Sequence, residues 1–480
     1  MRWLLALTVV SVCTGLAVAQ QASNQAQPPV TGTTRSGPAD HATTQGPALD
    51  NAAMAQRVRE EFLHAWNAYK KYAWGHDELK PLTHSFRDWH SASLLMTPVD
   101  ALDTMYVMGL TEEADKTREY IAANLSFDHD IYVKNFEITI RLLGGLLSAY
   151  ERTNDARLLH LADDLGRRLL PAFNSPTGMP YMYVNLKTGA TRGAVSNPAE
   201  IGTLLIEFGT LSKLTGKQVY YDKAKRALVE LYKRRSKLDL VGSEINVETG
   251  QWTDTTSHIS GGIDSYYEYL LKSWKLFGDR DCEQMWKTSI AAVNRRLADE
   301  RPNDLWYAQV DMNTGARKGT AYGALDAFFP AVLALGGDTD RARKLEDSAY
   351  KMWNLVGIEP EEIDYTKMEI TSPKYHLRPE IIESAYYLYF FTHDERYREM
   401  GKTFFDSLVR YCRTEDAYAA LSDVRTKAKA DEMESFFLAE TLKYLYLLFA
   451  RPETLDLNTV VFNTEAHPLQ KDFHRVIAPK

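Results

Sequence analysis

The sequence predicts an all-α protein, an (α/α)7 barrel with short β-hairpins on one rim, and three observations carry that prediction. Helical periodicity dominates from Asn51 to about residue 452, and strand-like character is confined to short pieces such as Tyr181–Leu186 and Gly242–Asn246. Seven segments rich in Leu, Phe, Tyr and Ala are apolar nearly all round, which means burial on every side. Between them lie more amphipathic, charged helices, and the turns that open these recur roughly every 60 residues, the mark of a repeat architecture. A solenoid would bury one face of each helix. The run Tyr386-Tyr387-Leu388-Tyr389-Phe390-Phe391 leaves no face polar, so two concentric rings fit better.

Taken in order, residues 1–19 place Arg2 before an apolar run ending in Ala17-Val18-Ala19, the pattern of a secretory signal peptide. Residues 20–50 are Gln, Thr, Ser, Pro, Gly and Ala with almost no large apolar side chain, and read as a disordered linker. Residues 51–480 form the expected single catalytic domain. Its seven apolar segments are Val99–Leu110, Phe136–Tyr150, Pro198–Leu214, Ile263–Phe277, Ala324–Leu335, Pro379–Thr392 and Met433–Phe449, each with an acidic residue in or near its first turn. The recurrent turns include Thr153-Asn154-Asp155-Ala156, Thr215-Gly216-Lys217-Gln218, Gly278-Asp279-Arg280-Asp281, Gly337-Asp338-Thr339-Asp340 and Thr392-His393-Asp394-Glu395. After the last apolar segment comes a stretch without periodicity, Val461–Leu469, which is expected to plug the ring.

The whole-chain balance narrows the function. A net charge of -8 supplies no concentrated basic face for nucleic acid. After the leader no stretch has the ~20 uninterrupted apolar residues of a membrane span. The expectation is therefore an exported protein, secreted, periplasmic or lumenal, with a monomer favoured. Cys13 leaves with the leader; Cys282 and Cys412 are equally compatible with one disulfide and with two buried thiols.

Parallel inner helices place their N-termini, and the acids near them, around a single mouth. One such acid is satisfied by the helix macrodipole, at roughly 0.3–1 kcal/mol. Same-face pairs are not: Asp100 and Asp103, Asp264 and Glu268, Glu380 and Glu383 repel one another unless they share a cation, a proton or a substrate. Arg141 sits one turn after Glu137, Arg378 two residues before Glu380, and Phe436 one turn before Glu440, a ring and a carboxylate suited to a sugar. Two carboxyls across a pocket, one protonated and one ionised, are what glycoside hydrolysis requires.

The blocks Tyr72–Pro81, Val99–Thr104, Phe136–Ser148, Asp264–Lys272, Leu377–Glu380, Met433–Tyr444 and Phe462–Pro468 resemble, in order, the signature blocks of glycoside hydrolase family 47, the class I α-1,2-mannosidases. The resemblance implies an (α/α)7 barrel with one Ca²⁺ at its base and hydrolysis of terminal α-1,2-linked mannose with inversion. Carried over by position, Glu137 matches the general acid and Glu380 the general base. Asp264 matches a third essential carboxylate with its own claim to the acid's role. Thr464 matches the threonine that ligates calcium, with Glu383, Glu440 and Glu465 holding the metal's waters, an arrangement suited to a hard ion that takes six to eight oxygens. Arg141 and Arg378 match positions near the bound sugar, and Phe436 the aromatic beneath it. Gly261-Gly262 stands where the processing enzymes of the family carry an arginine, and Ala324–Pro330 resembles the branch associated with glycoprotein degradation, so the resemblance leaves branch preference open. The alternative within the same fold is a mannose-glycan binding or quality-control protein with weak or no turnover.

Overall fold

The computed structural model describes residues 49–473. The expected leader and nearly all of the linker lie outside the described residues. Fourteen helices follow in hairpin order: α1 (Asn51–Tyr72), α2 (Met96–Val107), α3 (Thr111–Asn124), α4 (135–153), α5 (Ala156–Leu169), α6 (198–215), α7 (Val219–Lys233), α8 (Asp264–Phe277), α9 (Arg280–Arg296), α10 (324–335), α11 (Thr339–Asn354), α12 (Glu380–Thr392), α13 (Arg396–Tyr411) and α14 (437–449). The even-numbered helices are the seven apolar segments of the sequence. Each packs on the next, α2 on α4, α4 on α6, and so on to α14, which returns to α2 and closes the ring. The odd-numbered helices form the outer layer, with polar outer faces and, in all but α3, basic last turns.

Inner helices pass to outer ones through tight turns in the left-handed region, at Asn154, Gly216, Gly278 and His393. These are the repeated turns expected from the sequence. The return connections are long and carry the strands. Of eight small sheets among the described residues, seven lie in these returns, on the rim where the inner helices begin. Successive returns pair with one another: Tyr132–Lys134 with Tyr183–Asn185, Val195–Ser196 with Glu244–Asn246, Thr256–Ser257 with Gln309–Asp311, and Ala321–Gly323 with Glu362–Asp364. This belt stiffens the mouth.

The remaining sheet is the tail hairpin, Val460–Phe462 against Pro468–Gln470. It packs against α4 and α8 and carries the loop 463–467 into the ring. Two glycines make room for it. A Cβ on Gly144 would lie 2.5 Å from Asn463 Nδ2, and one on Gly145 2.9 Å from the Val99 carbonyl oxygen. The plug expected from the sequence is therefore present, seated against the Gly144-Gly145 step of α4.

Two helix starts differ from expectation by three residues or more. Helix α2 begins at Met96, three residues early, because the buried Asp77 carboxylate accepts the backbone N–H groups of Leu94 at 2.8 Å and Met96 at 3.2 Å. Helix α14 begins at Phe437, with Met433 paired in an isolated bridge to Leu79. Cys282 and Cys412 are separately buried thiols.

Candidate active site

A cavity of about 340 Å³ opens at the N-terminal ends of the inner helices. All ten residues singled out in the sequence line it: Glu137, Arg141, Asp264, Arg378, Glu380, Glu383, Phe436, Glu440, Thr464 and Glu465. Glu137 and Arg141 come from α4, Asp264 from the first position of α8, Glu380 and Glu383 from the first turn of α12, and Glu440 from α14. The tail loop supplies Thr464 and Glu465. Helices α4 and α14 each contain one π turn, Thr139–Leu143 and Phe437–Thr441. These wide turns hold Arg141 and Glu440, and they depart from the helical spacing on which sequence arithmetic depends.

The two guanidiniums share one ring. Arg141 lies 5.7 Å and Arg378 5.6 Å from the centroid of Phe436, within cation–π range. Arg141 also binds Glu137 at 3.1 Å, ion-pairs with Glu465, and reaches Asp100 at 3.5 Å. Arg378 is held by Glu361 at 2.6 Å and stands 3.9 Å from Glu380. Both arginines are thus oriented by carboxylates before any sugar arrives.

The carboxylates outnumber the cations. Eight acids line the cavity, counting Glu200 and Glu268 with those above, against Lys134, Arg141 and Arg378. Burial pushes Glu380 up to about 7, against the pull of Arg378. Asp264 also rises to about 7, through burial and the like charges of Glu268 and Glu380. Glu383 reaches about 8, although Tyr444 donates to its Oε1 at 3.2 Å. Glu440 and Glu465 are raised by the same burial. Glu380 Oε2 and Glu268 Oε2 have no hydrogen-bond partner. Acids poised near neutrality in a cleft are the usual tuning for general acid–base chemistry.

Thr464 stands where the hairpin meets this acidic floor, its backbone N–H donating to Tyr269 Oη at 3.3 Å. No group of three or more His, Cys, Asp or Glu among the described residues has the geometry of a metal cage. The donors instead suit a hard cation met by one threonine and by water, because the surplus of carboxylates is charge that such an ion would offset.

One acidic pair behaves differently from its sequence assignment. Asp100 and Asp103 turn away from the cavity mouth toward the plug, where His467 sits between them, Nε2 at 3.1 Å from Asp100 Oδ1 and Nδ1 at 2.6 Å from Asp103 Oδ2. Lys443 adds a second cation, 2.6 Å from Asp103 and donating to the Ala466 carbonyl at 2.6 Å. The cation they share comes from the chain itself. Asn463 completes the tip: its Nδ2 donates to the Ile140 carbonyl and to Glu207, and its Oδ1 accepts from the Glu465 and His467 backbones.

Sequence reasoning assigned no role to three further residues, Lys134 and Glu200 on the cavity wall and Glu361 behind Arg378. Glu200 had a signal, since it is the acid in the first turn of an inner helix capped by Asn197. Lys134 and Glu361 had none; one ends a three-residue strand and the other lies at a bend, both in rim returns too short for a periodicity.

A barrel closed at one end, with four cavity carboxyls raised to about 7 or 8 and two arginines on one aromatic ring, holds the groups that glycoside hydrolysis requires. Comparison with known proteins agrees. Residues 61–471 match the profile of glycosyl hydrolase family 47. Mannosyl-oligosaccharide 1,2-alpha-mannosidase MNS1 of Arabidopsis thaliana is 38% identical over 440 residues, covering 86% of this chain and 78% of that protein. ER degradation-enhancing alpha-mannosidase-like protein 2 of Mus musculus is 38% identical over 460 residues, covering 88% and 79%. The solved alpha-1,2-mannosidase from Trichoderma reesei superposes with a TM-score of 0.81 at 28% identity, over 88% of this chain and 99% of that one. The chain belongs to glycosyl hydrolase family 47.

Proposed function

We propose that the protein is a calcium-dependent, inverting exo-α-1,2-mannosidase acting on terminal α-1,2-linked mannose of high-mannose glycans or mannooligosaccharides. The observation that carries this is the cavity closed at its floor by the tail hairpin, with neutral-range carboxyls on its walls. A glycan inserts only its end residue, because no chain threads past the loop 463–467.

In this reading Phe436 supports the sugar ring, and Arg141 and Arg378, held in place by their own carboxylates, orient its hydroxyls. Glu137 or Asp264 delivers a proton to the departing glycosidic oxygen. Glu380, with its unpartnered Oε2, removes a proton from the attacking water, and a pKa near 7 suits that exchange. Thr464 would ligate Ca²⁺, with Glu383, Glu440 and Glu465 orienting its waters. Bound there, the ion would supply positive charge to sugar hydroxyls and water.

Export is inferred from the leader pattern, and no helix among the described residues is long and apolar enough to cross a membrane. Incubation with α-1,2-mannobiose before and after EDTA treatment tests the assignment: cleavage that stops on chelation and returns with Ca²⁺ is expected, and undiminished cleavage after verified metal removal would refute the calcium dependence. NMR of the first product is expected to show β-mannose; α-mannose would contradict inversion. Binding without cleavage of any mannoside would favour a glycan-binding role.

A further inference from the structure

Three cations line the cavity, and only two of them lie on Phe436. The third, Lys134, ends the strand Tyr132–Lys134 and stands at the N-cap of α4, where its side chain makes no capping bond. Helix formation does not account for it. The positive end of the helix dipole opposes a cation there, and an ammonium has no acceptor with which to cap. Its ammonium instead joins two neighbouring inner helices. It lies 2.6 Å from Glu200 Oε1 on α6 and 3.8 Å from Glu137 Oε1 on α4.

Glu200 is 4% exposed and held by its own backbone, whose N–H donates to Asn197 Oδ1 at 2.9 Å. With Oε1 on Lys134, its Oε2 faces no donor. Leaving a buried acceptor unmade is costly, and this one belongs to a side chain that lines the cavity. The Lys134 side chain is 36% exposed, so donors remain open to the same space. The adjoining wall is Gly261-Gly262, whose Gly262 carbonyl accepts the Ala199 N–H at 3.0 Å.

We propose that Lys134 is a positioning residue for the sugar on the leaving-group side of the scissile bond, fixing Glu200 so that its Oε2 and an ammonium proton together receive a hydroxyl of that sugar. The placement rests on Glu137 as the acid, since the acid marks the oxygen between the two sugars. Glu200 is held near 7 by burial, which Lys134 opposes and the Glu137 charge reinforces. Without Lys134 it keeps its proton to higher pH and presents a donor where an acceptor is needed.

The test uses the full-length chain, α-1,2-mannobiose as substrate, and 1-deoxymannojirimycin, a monosaccharide mimic with no leaving-group sugar. Lys134→Met is expected to raise KM for mannobiose about 10-fold with kcat nearly unchanged, and to move the acidic limb of kcat/KM upward by about one pH unit. It should leave the affinity for the mimic as in the wild type, and Lys134→Arg should recover most of the KM. An unchanged KM and pH profile, or an equal loss of mimic binding, overturns the proposal. Glu137→Gln keeps the parent assignment separate: full turnover in that variant removes the acid, and the leaving-group placement of Lys134 with it, whatever Lys134→Met does.

Discussion

The two ends of the barrel use the same residue types to opposite effect. At the plugged end Asp100 and Asp103 are answered by His467 and Lys443, and Asp103 is drawn down to about 2 despite complete burial. At the open end Glu383 is buried and Asp264 and Glu380 are partly exposed, yet all three are under-compensated and rise to about 7 or 8. Burial alone therefore does not decide what a carboxylate does. The supply of fixed cations does: paired acids become struts, and unpaired ones remain able to exchange protons and accept an outside charge.

The contrast breaks most readily at Glu380. Glu380→Gln is expected to reduce kcat on α-1,2-mannobiose about 10³-fold while calorimetry still detects sugar binding. Turnover near wild type would place the base elsewhere. At the other end His467→Ala leaves two buried carboxylates facing each other with one cation removed, and urea unfolding is expected to show a loss of about 3–5 kcal/mol. Glu383→Gln removes a charge that Lys272, 3.9 Å away, offsets only in part, and should leave the metal-free protein as stable as before or more so. Equal destabilisation by the two changes would erase the distinction.

The pH dependence separates the ends as well. Asp103, with its folded pKa lowered, contributes stability present above its unfolded value near ~3.9 and lost as pH falls toward about 2. His467, with its folded pKa raised, contributes stability present below ~6.5 and lost as pH climbs through the folded value. The mouth acids have raised folded values, so the folded protein holds protons that the unfolded chain has released. Metal-free protein should then lose stability steadily as pH rises from ~4 to about 8. Melting curves in EDTA and in Ca²⁺ are expected to diverge as pH rises through that range; superimposable curves would show that no cation answers the acidic floor. The smallest effect is expected at Thr464. Thr464→Ala should weaken Ca²⁺ binding about 10-fold, because the backbone carbonyl stays, and unchanged affinity by titration would remove the hydroxyl from the ligand set.

Much of this was legible in the chain. Seven all-round apolar segments alternating with seven amphipathic ones specify two concentric layers, since only a closed inner ring buries every face of a run such as Ile381–Leu388. Acids in the first turns of those segments had to meet at one rim, and they do. The tail was recognisable as a polar stretch with no helix to continue. What the pattern did not contain was direction. Asp100 and Asp103 have the same spacing as Glu380 and Glu383, yet one pair faces a histidine more than 360 residues away and the other an open cavity. A three-residue spacing defines a face of a helix, and only packing decides what that face meets. The same holds for Lys134, a surface-type residue at a strand end until the ring closes and sets it between two carboxylates. Hydrophobic period and helix-start chemistry are local and determine the elements and their order. Compensation of charge is a through-space sum over the closed ring, so tertiary structure alone decided which acids hold the fold together and which remain free for chemistry.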